Sequence, residues 1–194
     1  MTSDNRTITE RACAKVNLSL EITGRRADGY HDLVSLVAFA TELFDKITLK
    51  VDEVPVVTVI GPASNHLEGP NIIDTTMAAL AGEAPELHLG HFTLDKLIPV
   101  AAGLGGGSAD AAAALRAIAA ANEIDNDERR FQALAAKLGA DVPVCLGGGG
   151  ATGAMMSGIG EMVDRPDGLP LIPPHLYAVL VNPGSPVSTR EVFR

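Results

Sequence analysis

From Lys15 to Ile22 the chain alternates strictly: Val16, Leu18, Leu20 and Ile22 fall on one side, Lys15, Asn17, Ser19 and Glu21 on the other. A period of two predicts a half-buried strand with its four apolar side chains turned to the core. The run Gly24-Arg25-Arg26-Ala27-Asp28-Gly29 then predicts a hairpin turn, because Asp-Gly supplies the left-handed backbone that tight connections need. Three further strands are expected at Leu33 to Ala40, Lys46 to Val51, and Val56 to Ile60, the last stopped by Gly61-Pro62.

The period changes after residue 70. Asn71 is placed to cap a helix from Ile72 to Ala81 that ends at Gly82. Leu87 to Ile98 reads as extended. The run Gly103-Leu104-Gly105-Gly106-Gly107-Ser108 follows, and Ala109 to Ala121, almost all alanine and leucine, is the strongest helix-forming stretch in the chain. A second helix, capped by Asn126 or Asp127, runs through Leu138 to Gly139, and Asp141 caps a short third one with Pro143 in its first turn. Ala151 to Met162 reads as a hairpin, 165–174 as a Pro-rich connector, and Leu176 to Val181 as an apolar strand.

Composition narrows the classes open to such a chain. Of 194 residues, 46% are hydrophobic and 20% charged, which excludes a disordered chain, and no apolar run is long enough for a membrane-spanning helix. A net charge of -9 and the absence of Trp argue against a nucleic-acid binder, which needs basic contacts and aromatic platforms. The polar start lacks the apolar core of a secretory signal, and Cys13 and Cys145 cannot form a disulfide framework, so a cytoplasmic protein is expected. Neither the cysteines nor His66, His88, His91 and His175 show metal-ligand spacing, and the cysteines read as small core residues.

The glycine run carries the sharpest chemistry. Four glycines, a leucine and a serine directly before a helix expose backbone N–H groups at the positive end of the helix dipole, where phosphate binds. A closely packed turn is the plainer reading. The loop has no lysine, so it is not a Walker-type P-loop, and Ile98 to Ala102 is a poor strand end for a dinucleotide fingerprint, although Asp125 lies at a fitting distance.

The stretch from Pro99 through the glycine run to Ala112 resembles the second motif of the galactose, homoserine, mevalonate and phosphomevalonate (GHMP) kinase superfamily. Ala14-Lys15-Val16-Asn17-Leu18, Gly29-Tyr30-His31 and Leu138-Gly139-Ala140-Asp141-Val142-Pro143-Val144 resemble, in order, motifs of the branch acting on 4-(cytidine 5'-diphospho)-2-C-methyl-D-erythritol. The likeness runs from about Ala12 to the last residue. It implies ATP-dependent, Mg²⁺-assisted phosphorylation of that alcohol's 2-hydroxyl in non-mevalonate isoprenoid synthesis.

Residue by residue, the resemblance makes Asp141 the group that accepts or orients the hydroxyl proton. Lys15 stabilises the nascent alkoxide. It places Asn71 and Lys96 near adenine and ribose, Pro99, Gly103, Leu104, Gly105, Gly106, Gly107 and Ser108 around the triphosphate, and Asn17, Tyr30, His31 and Thr189 on the acceptor. Without it, Lys15 is a charged strand residue, Asp141 and Asn71 are helix caps, and Lys96 is a solvated lysine. The implied fold is α+β, a two-domain GHMP-kinase-like architecture: an N-terminal ATP-binding domain with a mixed sheet over 1–164, then a connector and the start of a ferredoxin-like domain over 165–194. Members continue further, with a third glycine-rich motif that nothing here matches, so a fragment with little activity of its own is expected. Another GHMP-type small-molecule kinase, or a nucleotide-binding module without transfer activity, are the other readings.

Overall fold

The computed structural model describes residues 6–27, 29, 31–67, 69–125, 129–147, 153–160, 162–164 and 176–182. Its strands are β1 (Thr7–Arg25), β2 (His31–Lys50), β3 (Val56–Ile60), β4 (His91–Asp95), β5 (Gly153–Gly158) and β6 (Met162–Asp164), and its helices α1 (Ile72–Glu83), α2 (Gly106–Ala121), α3 (Arg129–Leu138) and α4 (Val142–Gly147). The strands form one mixed sheet in the order β3-β4-β2-β5-β6, with β1 against β2. Only β3 and β4 run parallel. β2 is the spine: β1 pairs along its length on one side, while β4 takes Lys46 to Lys50 and β5 takes Leu33 to Ala38 on the other.

The two strands expected between Leu33 and Val51 are therefore one. The chain between them does not turn but widens into an irregularity, since Cys13 pairs with Phe44 and Ala14 already with Ala40. β1 corrects the opening expectation more deeply. Leu18, Leu20 and Ile22 are 42%, 40% and 48% exposed, and Lys15 is buried at 5%. Leu18 has no partner on β2: Asn17 pairs with Val37 and Ser19 with Leu36. This β-bulge exchanges the two faces of the strand. Lys15, Asn17, Leu20 and Ile22, paired with Phe39, Val37, Ser35 and Leu33, thus share one face of the sheet, with His31 at its hairpin end.

Helix α2 lies across that sheet as the core element and packs on β1, β2, α1, α3 and α4. Its residues Ala109 to Ala119 are buried all round, which explains the alanine: small side chains let the backbone approach its neighbours closely. Phe92, Ile47, Leu49, Ile73, Leu115, Ile118 and Phe131 fill the interior between helices and sheet. Arg116 is the polar staple of this packing. Its guanidinium donates to Glu10 Oε2 at 2.8 Å, to the Arg11 carbonyl at 2.8 Å and to the Cys145 carbonyl at 3.0 Å, tying α2 to β1 and α4.

Other expectations settle individually. Asn71 caps α1 in a full capping box with Asp74, but the helix runs through Gly82 to Glu83, because a glycine in a packed helix is tolerated. Of Leu87 to Ile98 only His91–Asp95 is a strand, where β2 and β3 offer partners. The hairpin after 151 is present as β5 and β6. Leu176 to Val181 is not a strand: these residues have no regular structure and are exposed, and among the described residues no strand stands beside them to complete a ladder. The expected caps Asn126 and Asp127, the turn residue Asp28 and the connector 165–174 lie outside the described residues.

Candidate active site

α2 begins inside the glycine run, at Gly106, so Gly106, Gly107 and Ser108 form its first turn and their N–H groups point out of its amino end. The N-cap is Gly105, whose left-handed backbone (φ 64°) lets the loop turn into the helix. The loop is seated on β1. Lys15 N–H donates to the Leu104 carbonyl at 2.8 Å, and a Cβ at Gly105 would lie 3.2 Å from Lys15 Cβ. Close packing, the plainer reading, is thus realised at this loop.

The Lys15 side chain runs along Gly105, where a Cβ would lie 3.4 Å from its Cε. Its Nζ stands 3.1 Å from Asp141 Oδ1 and donates to Asn17 Oδ1 at 3.2 Å. Asp141 holds the first position before α4, its carbonyl accepting Cys145 N–H at 3.2 Å, and its partly exposed carboxylate is turned to the lysine. An ammonium can only donate, so Asn17 must present Oδ1 to it, which leaves the Asn17 NH₂ free to face outward. Behind Asn17, buried Ser35 donates to the Ser19 carbonyl at 2.6 Å, and Ser19 Oγ accepts Leu36 N–H at 3.2 Å. Two serines therefore pin the Leu18 bulge that brings Lys15 and Asn17 to this face.

Lys96 corrects the plain reading of a solvated lysine. It is 3% exposed, and its Nζ donates to Asp45 Oδ2 at 2.5 Å and to Asp110 Oδ2 at 2.6 Å. Asp45 Oδ1 also accepts the N–H groups of Leu97 and Ile98, at 2.6 and 2.8 Å. The cluster lies under the loop, where a Cβ at Gly106 would be 3.2 Å from Lys96 Nζ. Burial pushes the Asp110 carboxyl up to about 8 against the pull of Lys96, with Asp45 adding to the rise. Burial, reinforced by Asp141, likewise raises the Cys145 thiol to about 12, and Cys13 is raised too, so both are inert packing residues.

The structure thus brings together Lys15, Asn17, Asp141 and the loop from Gly103 to Ser108. His31 lies on the same face, farther along the hairpin. Asn71 stands apart at the start of α1, its Oδ1 taken by Ile73 and Asp74 N–H. Tyr30 and Thr189 lie outside the described residues. Asp45, Asp110 and Ser35 were not singled out beforehand. Their signal is positional: Asp45 shares the inward register of Ile47 and Leu49, and Asp110 interrupts a helix that otherwise has no polar face.

Residues 56–149 match the GHMP kinases N terminal domain. The relatives are more specific. A protein of Bradyrhizobium sp. (strain ORS 278) named 4-diphosphocytidyl-2-C-methyl-D-erythritol kinase is 47% identical over 95% of this chain and 59% of its own length. One of the same name from Azorhizobium caulinodans is 49% identical over 95% of this chain and 62% of its own. A crystal structure of 4-(cytidine 5'-diphospho)-2C-methyl-D-erythritol kinase superposes with TM-score 0.63 at 36% identity, covering 82% of this chain and 55% of that one. The chain therefore spans about 60% of the length of the curated relatives it matches.

Proposed function

We propose that this chain supplies the nucleotide-binding and proton-handling half of an ATP-dependent kinase that phosphorylates the 2-hydroxyl of 4-(cytidine 5'-diphospho)-2-C-methyl-D-erythritol, a step of non-mevalonate isoprenoid synthesis in the cytoplasm. Residues 1–164 form the nucleotide domain, and 165–194 lead out of it. The observation that carries the reading is the Lys15–Asp141 pair, 3.1 Å apart, whose lysine stands on the strand that anchors the glycine loop through its backbone.

Phosphoryl transfer needs alignment and charge stabilisation more than covalent help from the protein. The loop N–H groups hold the triphosphate. Asp141 takes or orients the proton of the tertiary hydroxyl, and the Lys15 ammonium stabilises the oxygen as it becomes anionic. The Asn17 NH₂ and His31 face the acceptor, joined by Tyr30 and Thr189, while Asn71 and Lys96 serve the nucleotide side. Ser108 Oγ, on the first turn of α2 and without a hydrogen-bond partner among the described residues, would be the protein donor to Mg²⁺. When bound, the ion neutralises phosphate charge.

Transfer of phosphate from labelled ATP to the cytidine diphosphate alcohol, measured beside calorimetric binding of an ATP analogue, tests this. Asp141→Asn abolishes turnover, by about 10²-fold or more, with analogue affinity kept. A variant with near-normal turnover defeats the assignment. Failure of CDP to compete for the acceptor face redirects the reading to another GHMP-type alcohol.

A further inference from the structure

We propose that Arg116 is a positioning residue for the proposed transfer step: its guanidinium sets the separation of Lys15 and Asp141 by holding the strand that carries one to the helix that follows the other. The inference rests on reading that pair as the group that handles the hydroxyl proton.

Lys15 and Asp141 stand on elements that are weakly fixed where it matters. Lys15 lies on β1 just past an irregularity, since Cys13 pairs with Phe44 and Ala14 already with Ala40, so the ladder to β2 is loosest there. Among the described strands β1 pairs with β2 alone, which leaves carbonyls along its other side without a strand to accept from. Asp141 directly precedes α4, a helix of six residues. So short a helix does not hold itself, and its last carbonyls have no partner within it.

Arg116 closes this gap from α2, where it is buried. Its Nη2 donates to the Arg11 carbonyl at 2.8 Å, on the free side of β1 just ahead of the irregularity. Its Nη1 donates to the Cys145 carbonyl at 3.0 Å, one helical turn beyond Asp141, and its Nε to Glu10 Oε2 at 2.8 Å. Among the described residues no other side chain hydrogen-bonds to both β1 and α4. A guanidinium is planar and its N–H groups keep fixed angles to one another, so the two carbonyls are held at one separation.

The residue acts through the pair and not on the substrate. It lies about 15 Å along α2 from Gly106, too far to touch the phosphates itself. Transfer depends on alignment, and a displacement of about 1 Å in a catalytic group costs up to about 10²-fold. A packing role alone has a different consequence. Losing Arg116 would then loosen the whole domain, and Lys96, buried among Asp45 and Asp110 out of reach of Arg116, would open as readily as Lys15.

The test is acetylation of native lysines by an N-hydroxysuccinimide ester, mapped by peptide mass, on the full chain as wild type, Arg116→Lys and Glu10→Gln. Arg116→Lys keeps a cation opposite Glu10 but replaces the fixed fork by a point charge on a flexible stem. Lys15 and Lys96 both label slowly in wild type. In Arg116→Lys the rate at Lys15 rises by about tenfold, and the rate at Lys96 stays within about twofold. Glu10→Gln keeps an acceptor for Nε and both carbonyl bonds, and leaves both lysines slow. Phosphate transfer per site that binds an ATP analogue falls about 10- to 10²-fold in Arg116→Lys, with analogue affinity kept, and is unchanged in Glu10→Gln. Equal rises at Lys15 and Lys96, no rise at either, or an Arg116→Lys chain that does not fold overturns the inference. So does Glu10→Gln exposing Lys15 as much as Arg116→Lys does, because the ion pair and not the carbonyl bonds would then be the hold. These outcomes leave the proposed function intact while the analogue binds; wild type that neither binds analogue nor transfers phosphate overturns both.

Discussion

Replacing Lys96 by Met removes one charge and almost no volume, which makes it a clean probe of the buried cluster. The Lys96 ammonium is within 2.5 Å of Asp45 and 2.6 Å of Asp110, and their side chains are 4%, 0% and 3% exposed. The methionine stem fills the lysine's space, so little cavity forms. What remains is two carboxylates out of water with no cation. Breaking a buried pair from one side costs about 3–5 kcal/mol. For a domain of this size that lowers Tm by roughly 10 °C.

The pH dependence gives the cost its signature. Asp110 has a folded-state pKa of about 8 against 3.8 when unfolded, so the stability it contributes falls as pH rises between those values. Without Lys96 the chief pull against the burial of Asp110 is gone, and the fall steepens. The deficit of Lys96→Met relative to wild type is therefore largest at about pH 8 and shrinks toward about pH 4, where the orphaned acids become neutral. Adding Asp45→Asn and Asp110→Asn to the same chain removes both anions and restores most of the loss. Urea and thermal unfolding followed by circular dichroism at both pH values are the assay. A deficit under about 1 kcal/mol at the higher pH, or one equal at both, would refute the assignment of the cluster as a desolvated ionic unit.

Two further substitutions separate loop from bulge. Gly105→Ala puts a Cβ on a left-handed residue, at about 1–2 kcal/mol, and within 3.2 Å of Lys15 Cβ, so it lowers both Tm and ADP affinity; unchanged affinity would mean that the loop's seat on β1 does not shape the anion site. Ser35→Ala deletes the hydroxyl that holds the Ser19 carbonyl and destabilises by about 1–2 kcal/mol. Turnover falls while nucleotide affinity stays, because only the Lys15–Asn17 side moves. An equal fall in both shows that the bulge is not a separate support.

How far the chain could be read in advance follows from the range of the interactions. Local signals held. Asn71 capped α1, Gly103 to Ser108 led into α2, and the alanine run formed the central helix, because each depends on neighbours within a turn. The strand face of β1 failed for a non-local reason: the bulge at Leu18 is fixed by Ser19 and Ser35, sixteen positions apart, and no period in the residues 15–22 reveals it. Lys96 shows the same limit. Its side chain looks solvated until Asp45, 51 residues away, and Asp110 are brought to it. Leu176 to Val181 had strand composition and, among the described residues, no partner strand, and a strand exists only as part of a pair.

The net charge of -9 is at odds with the anionic guest of the proposed function, and the burial of the two lysines resolves the conflict. Lys15 and Lys96, 5% and 3% exposed, reach the loop from two sides through protein rather than through water. Charges placed so are weakly screened, and they act over the few ångströms that matter for phosphate while the acidic surface beyond is damped by salt. Each lysine needs a carboxylate partner to be buried at all: Asp141 for Lys15, Asp45 for Lys96. Those partners are not equivalent. Asp141 is partly open to solvent and so available to a substrate hydroxyl, whereas Asp45 is sealed by two backbone N–H groups and can only hold its lysine. In the proposed function the same acid–base pairing, exposed in one place and enclosed in the other, divides the chemistry of proton removal from the work of holding phosphate.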